Sequence, residues 1–80
     1  MLFRSSVLIN YGNYYSKIGQ KEKAETYLLK ALSLAESENI IDNEINTVKI
    51  LAEHYNSIND YEKAFFYLSK AYQLDRKSVV

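Results

Sequence analysis

The sequence predicts an all-α protein of four helices, arranged as two antiparallel hairpins in tandem. Three observations carry this. Sliding the chain forty positions against itself pairs Tyr15 with Tyr55, Ile18 with Ile58, and Glu22-Lys23-Ala24 with Glu62-Lys63-Ala64. The match continues through Tyr27-Leu28 with Tyr67-Leu68, Lys30-Ala31 with Lys70-Ala71, and Leu34 with Leu74, so the chain is two similar units. There is no proline, and Gly12 and Gly19 are the only glycines, too few turn residues for an all-β fold. Within each unit, apolar residues recur at three- and four-residue spacing, as amphipathic helices require.

The first helix is predicted over residues 3–18, with Val7, Leu8, Tyr11, Tyr15 and Ile18 on its apolar stripe. Gly19 stops it, because glycine takes the left-handed C′ conformation without steric cost. The second, over 21–37, carries Ala24, Leu28, Ala31, Leu32 and Ala35. The third, over 43–58, carries Val48, Leu51, Ala52, Tyr55 and Ile58 and ends at Asn59-Asp60. Asn is the next-best left-handed residue, and Asp60 can cap the helix that follows. The fourth, over 61–76, carries Ala64, Phe65, Leu68, Ala71 and Tyr72. Links of two or three residues force antiparallel hairpins. Gly12 with Ala24, and Ala52 with Ala64, then stand where two backbones approach closely, and a larger side chain there is expected to cost about 1–3 kcal/mol.

Eighty residues make one small domain, residues 1–80, with 48% apolar and 25% charged residues. Ten basic residues balance ten acidic ones. That disfavours nucleic acid, which selects a basic face, and polybasic attachment to membranes. The N-terminal apolar residues are interrupted by Arg4, Ser5 and Ser6, so neither a signal-peptide core nor a membrane span is expected. With no cysteine there is no disulfide, thiolate metal site or cysteine nucleophile, and the compartment stays open.

Leu8, Gly12, Tyr15, Ala24, Leu28 and Ala31 in unit one, and Val48, Ala52, Tyr55, Ala64, Leu68 and Ala71 in unit two, resemble the tetratricopeptide repeat pattern. The likeness covers residues 5–38 and 45–78. It departs from the family in its forty-residue period, an aliphatic residue where an aromatic often opens the repeat, and a missing proline after the second helix. The resemblance implies an α-solenoid of that type that binds protein or peptide, with no enzyme activity and no cofactor. The Ala-Glu link and the closing Leu74-Asp75-Arg76-Lys77-Ser78 look similar to repeats in bacterial sensor kinases and transcriptional regulators, which implies the alternative of a sensory segment of a larger signalling protein.

His54 is the single histidine, and helical spacing converges neither Glu53 nor Glu62, the nearest acids in sequence, on it, so it reads as a partly exposed surface residue without a catalytic role. No metal or catalytic set is expected. Glu22, Glu44 and Glu62 open helices, where the dipole favours them. Of the eight tyrosines, Tyr11, Tyr15, Tyr27, Tyr55, Tyr67 and Tyr72 fall at packing positions.

Two surfaces are candidates for binding. The resemblance implies an inner face lined by the first helices, with Asn10, Asn13, Lys17, Asn46, Lys49, Glu53 and Asn56 as a polar peptide groove. Asparagine can bond a peptide backbone in both directions. Asn13 matches the carboxylate-binding members of the family, but Ile9 stands where they have lysine, so that clamp is not supported. The second surface is an extra stripe on each second helix. Tyr27, Ala31 and Leu34 are expected to pack on the third helix, leaving Tyr67, Ala71 and Leu74, with Phe66 nearby, to meet a further repeat or a second copy. Self-association through the last helix is the expectation.

Overall fold

The computed structural model describes residues 4–78. Three links of one geometry fold the chain back on itself. Each places a single residue in the left-handed region: Gly19 (φ 84°), Asn39 (φ 57°) and Asn59 (φ 65°). The amide after each of them closes a six-residue loop, Gln20 N–H donating to Tyr15 C=O, Ile40 to Ala35 and Asp60 to Tyr55. The left-handed residue's own amide closes the inner bond, Gly19 to Ser16, Asn39 to Glu36 and Asn59 to Asn56. This pattern satisfies the last carbonyls of a helix while turning the chain. Gly19 and Asn59 act as expected, and Asn39 is a third instance the sequence reading did not single out.

The links separate α1 (Ser5–Lys17), α2 (Lys21–Glu38), α3 (Ile41–Ser57) and α4 (Tyr61–Ser78). The described residues contain no strand. The predicted start of the first helix at residue 3 lies outside the described residues. Asp60 caps α4, its Oδ1 accepting from Lys63 N–H at 3.4 Å. α1 packs on α2, α3 on α4 and α2 on α3, with a narrower contact between α1 and α3.

The main core is built around α3. Leu28 and Leu32 from α2 meet Ile45, Val48, Leu51 and Tyr55, which Ala71 and Leu74 of α4 close from the other side. A second cluster joins Leu8 and Ile9 of α1 to Ala31. Gly12 stands where α1 approaches α2, but the residue it meets is Leu28 and not the expected Ala24. A Cβ on Gly12 would stand 2.5 Å from Leu28 Cγ, while Ala24 is fully buried.

The two stripes of the second helices are exchanged relative to expectation. Tyr27, Ala31 and Leu34 cluster with Leu8 and Ile9 of α1, Tyr27 lying against Tyr11 and Tyr15, and reach α3 only at Ile50, while Leu28 and Leu32 join the main core around α3. In unit two, Ala71 and Leu74 are accordingly buried and Tyr67 stacks on Tyr55. Of the surface expected from Phe66, Tyr67, Ala71 and Leu74, only Phe66 is exposed. Both stripes are apolar and about 100° apart on the helix, so periodicity alone could not assign them to neighbours.

Candidate functional site

The forty-residue repeat gives the protein an internal comparison, because each position of one unit has an equivalent in the other. Ala24, Leu28, Leu32 and Ala35 of α2 are buried, Leu28 and Leu32 against α3. Forty residues on, Leu68 is 60% exposed and Tyr72 is 73% exposed, with Ala64 half-buried. Phe65, at the place of half-buried Glu25, is 72% exposed, and Tyr61 is 62% exposed beside it. The result is an open apolar groove of about 390 Å³ between α3 and α4, lined by Ala52, Glu53, Asn56, Tyr61, Ala64, Phe65 and Leu68. Phe65, Leu68 and Tyr72 lie at i, i+3 and i+7, a single helical stripe. Their periodicity alone assigns these residues to the helix's packing face. In α2 the equivalents Leu28 and Leu32 are covered by α3, and in α4 these residues are exposed.

The opposite end is open in the same sense. Glu44, Thr47, Leu51 and His54 of α3 are buried, whereas their counterparts, Arg4 at the start of α1 and Val7, Tyr11 and Tyr14 within it, are exposed. Beside them Leu8, Tyr11, Tyr15, Tyr27 and Lys30 line a concavity of about 520 Å³.

The predicted polar groove divides. Asn10 and Lys17 are exposed and Asn13 half-buried on α1, and Asn46 and Glu53 continue this polar flank on α3. Lys49 and Asn56 correspond instead to Ile9, which is buried, and Ser16, which bonds across to α3. Both are exposed, and Asn56, with Glu53, lines the α3–α4 groove.

The seam between the units is where the polar residues converge. His54 is 2% exposed, which corrects the expectation of a partly exposed surface residue. Its Nδ1 lies 3.1 Å from Ser16 Oγ, and its Nε2 is buried without a hydrogen-bond partner. The tautomer with Nδ1–H donating to Ser16 leaves only an acceptor unpaired at Nε2, the less costly arrangement. Ser16 is 38 positions away in sequence, so no local signal announced the contact. Nearby, Tyr55 O–H donates to Glu25 Oε2 at 2.8 Å, and Asn43 donates to Ser5 Oγ at 2.8 Å. Burial, then the bond to Glu25, pushes the Tyr55 phenol above its ordinary range. Burial followed by the Glu25 charge does the same to Tyr67.

Burial lowers the His54 pKa below 6.5, with Glu25 opposing and Lys21 adding to the shift. The unfolded chain therefore binds more protons once pH falls below about 6.5. The stability contributed by neutral His54 is present above that value and declines as pH falls through it. Urea midpoints are expected to fall between pH 7 and pH 5.5 in the natural chain and to stay level in His54→Gln, since His54 is the single histidine. Equal slopes in both chains would refute the assignment.

Each unit also carries one stacked tyrosine pair with a lysine over it. Tyr15 and Tyr27 lie 5.5 Å apart at 9°, and Tyr55 and Tyr67 lie 5.6 Å apart at 11°. Lys23 sits 5.4 Å above Tyr15, and Lys63 sits 5.3 Å above Tyr55. The repeat in geometry matches the repeat in sequence. The link pattern recurs three times, and a family model described as Tetratricopeptide repeat matches residues 3–77. The chain belongs to the tetratricopeptide repeat family. Searches of curated proteins and of solved structures return no match. Tetratricopeptide repeats generally mediate protein–protein interaction and are generally non-enzymatic. Among the described residues no group of three or more His, Cys, Asp or Glu could hold a metal ion, and no helix is long and apolar enough to cross a membrane.

Proposed function

We propose that this chain is a protein-interaction module that seats an amphipathic helix of its partner on the α3–α4 groove. One observation carries the reading: the face that α2 gives to α3 is repeated on α4 and left uncovered. Four large apolar side chains in a row at 60–73% exposure form a patch of the kind that marks a contact surface. A helix is the occupant because a helix fills the equivalent place one repeat earlier. A sensory segment of a larger signalling protein would use the same face, covered in that case by its own polypeptide. The polar flank of Asn10, Asn13, Lys17, Asn46 and Glu53 is a secondary surface for extended peptide.

The test uses a fluorescent peptide of residues 41–57, the helix that already fits such a face. Its anisotropy is expected to rise saturably with the natural chain and not with Leu68→Glu/Tyr72→Glu. Absence of binding, or equal binding by the variant, would overturn the proposal.

A further inference from the structure

The two open ends are complementary to each other, and we infer that a second copy of this chain is a partner, stacked head to tail. The inference rests on the proposed helix-seating role of the α3–α4 face and names its occupant. At the junction inside the chain, Leu28 and Leu32 insert among Val48, Leu51 and Tyr55, with Tyr67 packed against the same cluster. Forty positions back from these four receiving residues are Leu8, Tyr11, Tyr15 and Tyr27, the lining of the concavity on the exposed end of the first hairpin. Forty positions on from the inserting pair are Leu68 and Tyr72, both exposed. The chain thus carries an unfilled socket at one end and an unhoused pair of knobs at the other.

The polar seam translates with them. His54 beside Ser16 becomes Tyr14 of the incoming copy beside Asn56, a phenol and a carboxamide that can exchange a hydrogen bond. Tyr55 on Glu25 becomes Tyr15 on Phe65, an aromatic contact in place of a hydrogen bond. One charge pair is reversed. Lys70 with Glu36 becomes Lys30 with Arg76, an exposed repulsion that salt screens, so association is strengthened by ionic strength. Such an interface joins different surfaces of the two copies, so it leaves one socket and one pair of knobs free and continues as an open array.

Sedimentation velocity separates this from other assemblies. The natural chain is expected to show a weight-average size that climbs without plateau from micromolar to millimolar concentration. Leu68→Glu/Tyr72→Glu, with its knobs lost, and Tyr11→Glu/Tyr14→Glu, with its socket lost, are each expected to be monomeric and helical by circular dichroism. Mixed in equal amounts they are expected to form a one-to-one dimer and nothing larger, because each retains the surface the other lacks. If the socket variant loses helicity, Val7→Glu takes its place. A natural chain monomeric throughout would overturn the inference, as would variants that stay monomeric when mixed, or either variant dimerising on its own, the mark of two like ends meeting. If that happens while the 41–57 peptide still binds, the helix-seating face stands and only its occupant is wrong. Failure of both removes the two together.

Discussion

Leu28→Ala is expected to destabilise the fold by about 2–5 kcal/mol, whereas Leu68→Ala, the same change forty residues later, costs less than about 1 kcal/mol. Leu28 is fully buried, and its neighbours Val48 and Leu51 are fully buried as well, so the surroundings cannot collapse into the space it leaves. Leu68 is 60% exposed and loses little contact when shortened. The size of the first effect matters because an 80-residue domain has about 4–12 kcal/mol of stability in total. Leu28→Ala therefore brings the chain close to unfolding at room temperature. Urea unfolding followed by circular dichroism measures both, and similar costs for the two leucines would contradict the burial assigned to them.

Gly12→Ala is expected to destabilise by about 1–3 kcal/mol, even though alanine is the better helix former by about 1 kcal/mol. The new Cβ would stand 2.5 Å from Leu28 Cγ, 2.6 Å from Cδ2 and 3.3 Å from the Leu28 backbone nitrogen. A flexible surface side chain would swing aside, but Leu28 is held on all sides by the main core. The clash is then relieved only by separating α1 from α2. Because the two residues touch, the changes are expected not to add. Gly12→Ala combined with Leu28→Ala should be less destabilised than the sum of the singles, by about 0.5–3 kcal/mol. Strict additivity would show that the overlap with Leu28 is not the source of the cost.

Much of the fold was legible because it depends on local and single-residue effects. Gly19 and Asn59 mark their links by being the residue types that tolerate a left-handed backbone, and Asp60 by its capping carboxylate. The close approach of α1 to α2 at Gly12 was readable from the small residue there, although the side chain it meets is Leu28 and not Ala24. Contacts between units were harder. The stripes Tyr27-Ala31-Leu34 and Ala24-Leu28-Leu32 are equally apolar, and only the handedness of stacking decides which meets α3. That exchange moved the open face from Tyr67, Ala71 and Leu74 to Phe65, Leu68 and Tyr72. The burial of His54 was missed for a related reason, since its partner Ser16 belongs to the other unit and nothing within α3 points to it. The lysines over the tyrosine stacks were also missed. Their signal was present in the repeated Lys23 with Tyr15 and Lys63 with Tyr55, eight residues apart in each unit.

Everything proposed for this protein turns on equivalent leucines meeting different surroundings, one sealed by a following helix and one facing water. Methyl NMR on a dilute sample with a soluble gadolinium chelate reads that difference directly. The Leu28 and Leu51 methyls are expected to keep their relaxation rates while those of Leu68 broaden strongly. Comparable broadening of Leu28 and Leu68, or protection of both in the monomer, would contradict the account.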